Sequence, residues 1–145
     1  MLDLAIDNTL MSAYQNAEYI VFADTEFVML VAQYSEALHQ TMTELQLTQM
    51  AFISAYNPYS EILDEPENLT RHSALSKELS DLGLSFIEGL GRDKEGQWPG
   101  EISFLVLNIS NDSARMLGNK YGQNAILWIE EDAIPQLLLL DGKSD

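Results

Sequence analysis

From residue 50 to residue 130, β-rich runs and helical repeats follow one another in the order β-α-β-β-α-β. No other feature of the chain restricts its fold as much. "MAFISAY" (50–56) is apolar throughout and short, as a strand buried on both faces should be. The next repeat has helix ends with local causes. Asp64 and Glu67 suit an N-cap and its N3 partner, Pro66 falls in the first turn, and Gly83 stands where a C′ glycine belongs. Leu69, Leu75, Leu79 and Leu82 make the expected apolar stripe of that helix. "LSFIEGLG" and "ISFLVLNI" are strands joined by a glycine-rich loop at 91–101. "NDSARMLGNKYG" is a helix capped by Ser110 or Asn111 and closed by Gly122, and "NAILWIE" is the last strand of the unit.

The flanking segments extend this pattern. Residues 2–16 have helical spacing, "AEYIVFA" and "EFVMLVA" read as a hairpin across Asp24-Thr25, and 34–47 returns to helix through Leu38, Met42 and Leu45. "IPQLLLL" adds a final strand, and residues 139–145 are expected to be a frayed tail. The prediction is a single α+β domain. It has a mixed or largely antiparallel sheet with helices packed on one face, and a ferredoxin-like unit at 50–130.

Charge narrows the function classes. Twenty-three acidic residues face seven basic ones, a net charge of −16, and no Lys or Arg precedes Arg71. Direct nucleic-acid binding is not expected, because neutralising phosphates needs a basic face. No apolar run spans a bilayer, and the acidic N-terminus lacks the positive region of a signal peptide, so a cytoplasmic location is expected. Without cysteine there are no disulfides, thiolate nucleophiles or cysteine-based zinc sites, and no metal site or cofactor is expected. Gly89-x-Gly91 is not a dinucleotide fingerprint, because a strand and not a helix follows its loop.

The polar residues after the first strand of the unit draw attention. Pro58 should push Asn57 into an extended conformation, leaving the Asn57 and Ser60 side chains to bond the turn. Asn68, Arg71 and His72 lie at i, i+3 and i+4 on one side of a helix N-terminus, an end that favours anions. The alternative is that Asn68 caps locally and Arg71 pairs with Glu67 or Asp64. His39 lies in an amphipathic helix with no acid patterned around it and reads as a packed or solvated residue. Trp98 and Glu101 close the glycine-rich loop. Glu101, at the mouth of a strand, is the first acid/base candidate and His72 the second.

"AYQNAEY" (13–19), "FISAYNPYS" (52–60), "ENLTRHSAL" (67–75), "GLGRDKEGQWPGEISFLV" (89–106) and "ARMLGNKYGQNAI" (114–126) together resemble the bacterial family called domain of unknown function 3293. Ser54 stands where that family usually has Thr. The resemblance brings no activity with it. It picks out Asn57, Pro58, Ser60, Asn68, Arg71, Gly89, Gly91, Trp98, Glu101 and Gln123, mostly polar or glycine and mostly at loops and helix ends, where sites usually sit.

The expectation is a pocket built from the 57–72 and 89–101 segments, holding a small polar or anionic ligand, with nucleotide-like compounds among the candidates. Its ligand-binding residues would be Asn57, Ser60, Asn68, Arg71, Gly89, Gly91, Trp98 and Gln123. The alternative is an acidic interaction module that binds a basic protein partner or mimics nucleic-acid charge, as in phage–host conflict. A purely structural module would instead show Asn57 and Arg71 buried and mutually satisfied.

Overall fold

A computed structural model describes residues 8–96 and 99–140. The elements run α1 (Asn8–Asn16), β1 (Glu18–Val21), β2 (Phe27–Met29), α2 (Glu36–Leu45), β3 (Met50–Ser54), a 3-10 turn (Pro58–Ser60), α3 (Glu65–Asp81), β4 (Phe86–Arg92), β5 (Glu101–Leu107), α4 (Asn111–Lys120), β6 (Ala125–Ile129) and β7 (Gln136–Leu139). The described strands form one sheet in the order β2-β1-β4-β5-β3-β6-β7. Every pairing in it is antiparallel. The central four strands, β4-β5-β3-β6, have the order that a split β-α-β unit produces, and β1, β2 and β7 widen the sheet on both sides. Leu139 belongs to β7 and the Leu140 N–H donates to Asn124 O, so the chain is paired up to residue 140. The rest of the expected tail lies outside the described residues.

The sheet has two cores because β3 is buried on both faces. Ala51 and Ile53 pack with Leu75 and Leu79 of α3, Leu117 of α4 and Phe104 of β5. Met50 and Phe52 point the other way and join Tyr19, Leu105, Leu127 and, from α2, Leu38 and Met42. Helices therefore cover both faces, not the single face expected. Sidedness is a property of chain crossovers and not of the helix sequence, which is why the α2 repeat could not reveal it. Burying Leu38 and Met42 supplies about 1.5–3 kcal/mol each and holds α2 in place. The Ala32 N–H donates to Pro135 O (2.8 Å) and the Ser35 N–H to Ala133 O (3.0 Å). These bonds draw the two edges of the sheet together, so it curls around the second core.

The helix ends follow the sequence. Asp64 Oδ1 accepts from the Glu67 N–H and Ser110 Oγ from the Ser113 N–H. The α3 and α4 helices both end in Schellman motifs, with Gly83 and Gly122 at positive φ (77° and 72°). The Leu84 N–H reaches Leu79 O and the Gln123 N–H reaches Gly118 O. The expected stripe of α3 is only half right. Leu75 and Leu79 are buried, but Leu69 and Leu82 are exposed, and Asn68 and His72 occupy the buried face of the first turns. No helix among the described residues is long and apolar enough to cross a membrane.

Candidate functional site

The strand β3 delivers the chain to Asn57, and the backbone there is not extended. Asn57 sits at φ 48°, ψ 65°, in the left-handed region, and Tyr59 and Ser60 also have positive φ. Asn tolerates this region better than most residues, and tertiary bonds hold it there against the local preference imposed by Pro58. The Asn57 N–H donates to Asn68 Oδ1 (2.9 Å). Asn57 Oδ1 accepts from the Leu63 N–H (3.0 Å) and from Asn68 Nδ2 (2.9 Å). Asn57 Nδ2 then donates to Glu101 Oε2 (2.9 Å). At 7 % and 3 % exposure, Asn57 and Asn68 have little water to bond to, so each leg of this exchange satisfies a buried group.

Arg71 and Gln123 complete the frame. Arg71 Nε donates to Ala55 O (2.7 Å) and its Nη2 to Tyr121 O. Gln123 Nε2 donates to Tyr56 O (3.0 Å) and Tyr121 O (3.3 Å). The Schellman turn at Gly122 places Gln123 for this. The same turn receives the loop, since the Tyr59 N–H donates to Gly122 O and a Cβ at Gly122 would lie 2.8 Å from Pro58 Cβ. Arg71 is thus engaged with backbone carbonyls, and neither Glu67 nor Asp64 is its partner.

Above this frame lies a cleft of about 410 Å³ between α1, the 57–62 segment and the start of β5. That size is ordinary for a small-molecule site. Of the predicted residues, Asn57, Ser60, Glu101 and Gln123 line it together. Asn68 and Arg71 stand behind the loop and build it. Gly89 is a packing position: a Cβ there would lie 2.4 Å from Ile20 O and 2.7 Å from Phe52 Cε1. Gly91 faces Glu101 across the β4–β5 pair, and its missing side chain leaves a cavity of about 50 Å³ beside the carboxylate. Trp98 lies outside the described residues. A wider groove of about 570 Å³, between the β1–β2 hairpin and α2, offers only exposed carboxylates at Asp24 and Glu44 and no buried polar group.

Glu101 is half-buried on the cleft floor. Desolvation by burial pushes its carboxyl from 4.5 up to about 6, against the opposing pull of the Asn57 hydrogen bond. The phenol of Tyr19 is raised by its own burial, then by Tyr14 and Glu101. Its hydroxyl donates to Tyr14 O (2.8 Å), anchoring the end of α1 over the cleft.

His72 does not join Glu101. Side chains alternate along β5, so Glu101 and Ser103 share one face while Phe104 takes the other. His72 stacks on Phe104, with ring centres 4.1 Å apart, and its Nε2 lies 3.0 Å from Glu88 Oε2. The two acid/base candidates therefore occupy opposite faces of the sheet.

Tyr14, Ile62 and Asn124 were not singled out as site residues, yet they line the cleft. The signal for Tyr14 was present in "AYQNAEY", whose second tyrosine donates its hydroxyl to the backbone carbonyl of the first. Among the described residues no group of three or more acidic or histidine side chains could hold a metal ion.

Fold and site define a small α+β protein with a curled antiparallel sheet and a buried polar frame beside a carboxylate cleft. The chain belongs to the family described as "Protein of unknown function (DUF3293)", whose model matches residues 53–126. That span runs from β3 into β6 and contains Asn57, Asn68, Arg71, Glu101 and Gln123. Comparison with curated proteins and with solved structures finds no match.

Proposed function

We propose that this protein binds a small polar ligand in the cleft over Glu101. The observation that carries this reading is the carboxylate itself. It sits half-buried on the floor of a cleft of ligand size, with Oε2 held by Asn57 and no described residue bonded to Oε1. Burial raises the cost of its charge while the second oxygen stays open to the cleft, and perturbed carboxyls of this kind concentrate at sites. The positive-φ run at Asn57, Tyr59 and Ser60 is a second cost at the same rim. If the protein is an enzyme, a carboxyl pushed up to about 6 by burial makes Glu101 the acid/base candidate. The anionic class of ligand has less support, since Arg71 is committed to carbonyls and no Lys or Arg lines the cleft among the described residues.

The test is a thermal-shift screen of metabolites against the native chain and an Ala13→Trp variant. Ala13 lines the cleft from α1, so the indole should fill it. A ligand at 100 times its dissociation constant should add about 2.7 kcal/mol to the native chain and nothing to the variant. Stabilisation that survives Ala13→Trp would place binding elsewhere.

The second reading, an acidic module for a basic partner, draws on charge accounting. Lys77, Arg92 and Lys120 are each paired with an acid, Asp81, Glu18 and Glu78 respectively. These pairs leave the excess of acids to set the field around the molecule. No ligand in the screen, together with a basic protein that co-purifies and dissociates in salt, would favour it.

A further inference from the structure

The chemistry of the ligand follows from which hydrogen-bonding ends the cleft leaves open, given that the cleft is a ligand site. Three side-chain amides line it, and each NH₂ group already has at least one N–H in use. Asn57 Nδ2 donates to Glu101, Gln123 Nε2 to two carbonyls, and Asn124 Nδ2 to Ser60 Oγ (3.0 Å). The orientation of Gln123 is not arbitrary, because only an NH₂ end can face two carbonyl oxygens. Asn57 is fixed equally well by the Leu63 N–H on its oxygen. Ser60 Oγ is shared with the Tyr14 hydroxyl at 3.3 Å. Among the described residues, the acceptors that remain without a hydrogen bond are Glu101 Oε1, Gln123 Oε1 and Asn124 Oδ1; the donors left over, the second N–H of Asn57 and of Asn124 and the Thr9 hydroxyl, are uncharged and do not neutralise the carboxylate. No Lys, Arg or His among the cleft-lining residues supplies a counter-charge.

We propose that the cleft takes an organic cation, an ammonium or guanidinium group carried on a short apolar chain. The head would donate to Glu101 and to the open amide oxygens. The chain would lie against the apolar wall made by Leu10, Ala13, Ile62 and Pro99. Ile62 is 70 % exposed, a large apolar side chain left at the mouth, where a methylene chain would cover it. A guanidinium presents several donors in a plane and suits a carboxylate with neighbouring acceptors; an ammonium suits the same set as a point charge. An anion would meet an unneutralised carboxylate, and a ligand of acceptors alone would leave all three oxygens unpaired.

Among the described residues lining the carboxylate's surroundings, the other titratable groups are the phenols of Tyr14, on α1, and Tyr19, on β1, and burial raises the Tyr19 phenol further. Cation binding should therefore follow the ionisation of Glu101 alone. Only the ionised form is competent, so affinity should fall about tenfold for each pH unit below the carboxyl's midpoint.

The test uses the full chain, labelled with nitrogen-15, and four probes with short alkyl chains of similar length: butylammonium, butylguanidinium, butanamide and butyrate. The side-chain amides of Asn57, Gln123 and Asn124 report on the cleft. The expected result is that the two cations move these signals and saturate, roughly tenfold more weakly at pH 5 than at pH 7.5. Glu101→Gln should abolish the response while keeping a dispersed spectrum. Butanamide or butyrate binding the cleft as tightly as the cations would overturn the cation and leave the cleft reading intact. So would cation affinity that ignores pH in the native chain, a readout that stands even if Glu101→Gln does not fold. Shifts spread over exposed carboxylates and absent from the cleft amides would mean only attraction to the net charge, and would also overturn the proposal. The cleft reading fails separately, on the Ala13→Trp screen.

Discussion

At the scale of the residue, Glu101 is the carboxyl that burial perturbs. Its carboxyl gains a proton more readily in the folded chain than in the unfolded one, because burial penalises the charge more than Asn57 compensates it. The sign of the stability effect follows. A carboxyl raised from 4.5 to about 6 by folding adds stability below pH 4.5, where both states are protonated as far as the folded site prefers. That contribution disappears as pH rises through 6, and the loss amounts to about 2 kcal/mol. Glu101→Gln keeps the shape and an acceptor for Asn57 but cannot ionise. Urea unfolding of both proteins from pH 4 to 8 should show the difference moving in favour of glutamine between pH 4.5 and 6 and then levelling. A difference that stays flat across this range would mean the carboxylate is not desolvated.

At the scale of the element, Arg71 does the joining. It stands on α3, but its partners are the carbonyl that ends β3 and the carbonyl that ends α4, 16 and 50 residues away. A planar fork can serve two oxygens at once, and an ammonium on a flexible stem serves them poorly. Arg71→Lys should therefore cost about 1–3 kcal/mol in urea unfolding, despite keeping the charge. The Gln123 side-chain amide should shift with it, because it shares Tyr121 O with Arg71. Unchanged stability and an unmoved Gln123 signal would remove Arg71 from the frame. This residue also marks where sequence reading stops. Asp64, Ser110, Gly83 and Gly122 were legible because a cap or a left-handed glycine acts within a few residues of itself. The Arg71 side chain looked like an anion ligand because its actual partners are backbone groups, which any sequence supplies. Asn57 misled for the same reason. Its neighbour Pro58 argues for extension, while Asn68, Leu63 and Glu101 together hold it left-handed. That polar residues would gather after β3 was readable, and so was Glu101. Which of them would be consumed in building the loop, and which left facing the cleft, was not.

At the scale of the whole molecule, the order of the four central strands followed from the β-α-β-β-α-β succession, but the curl of the sheet and the placement of α2 followed from contacts between its distant edges. The charge acts at this scale too. A net charge of −16 on one small domain repels itself in the folded state more than in the expanded chain. The Debye length is about 30 Å at 0.01 M salt and about 8 Å at 0.15 M, so at low salt most acids feel one another and near physiological strength few do. Added salt should therefore stabilise the fold by about 1 kcal/mol, or about 3–5 °C in Tm. This screening should depend on ionic strength and not on the cation chosen. Sodium and tetramethylammonium chloride at equal strength should raise the Tm alike, since neither carries the N–H donors that the cleft acceptors lack. Butylguanidinium chloride should raise it further at pH 7.5, and only to the sodium level in Glu101→Gln. Equal curves for all three salts in the native chain would reduce the cleft to part of the general acidic field. A Tm that falls as salt is added would show that local ion pairs such as Arg92–Glu18 outweigh the repulsion.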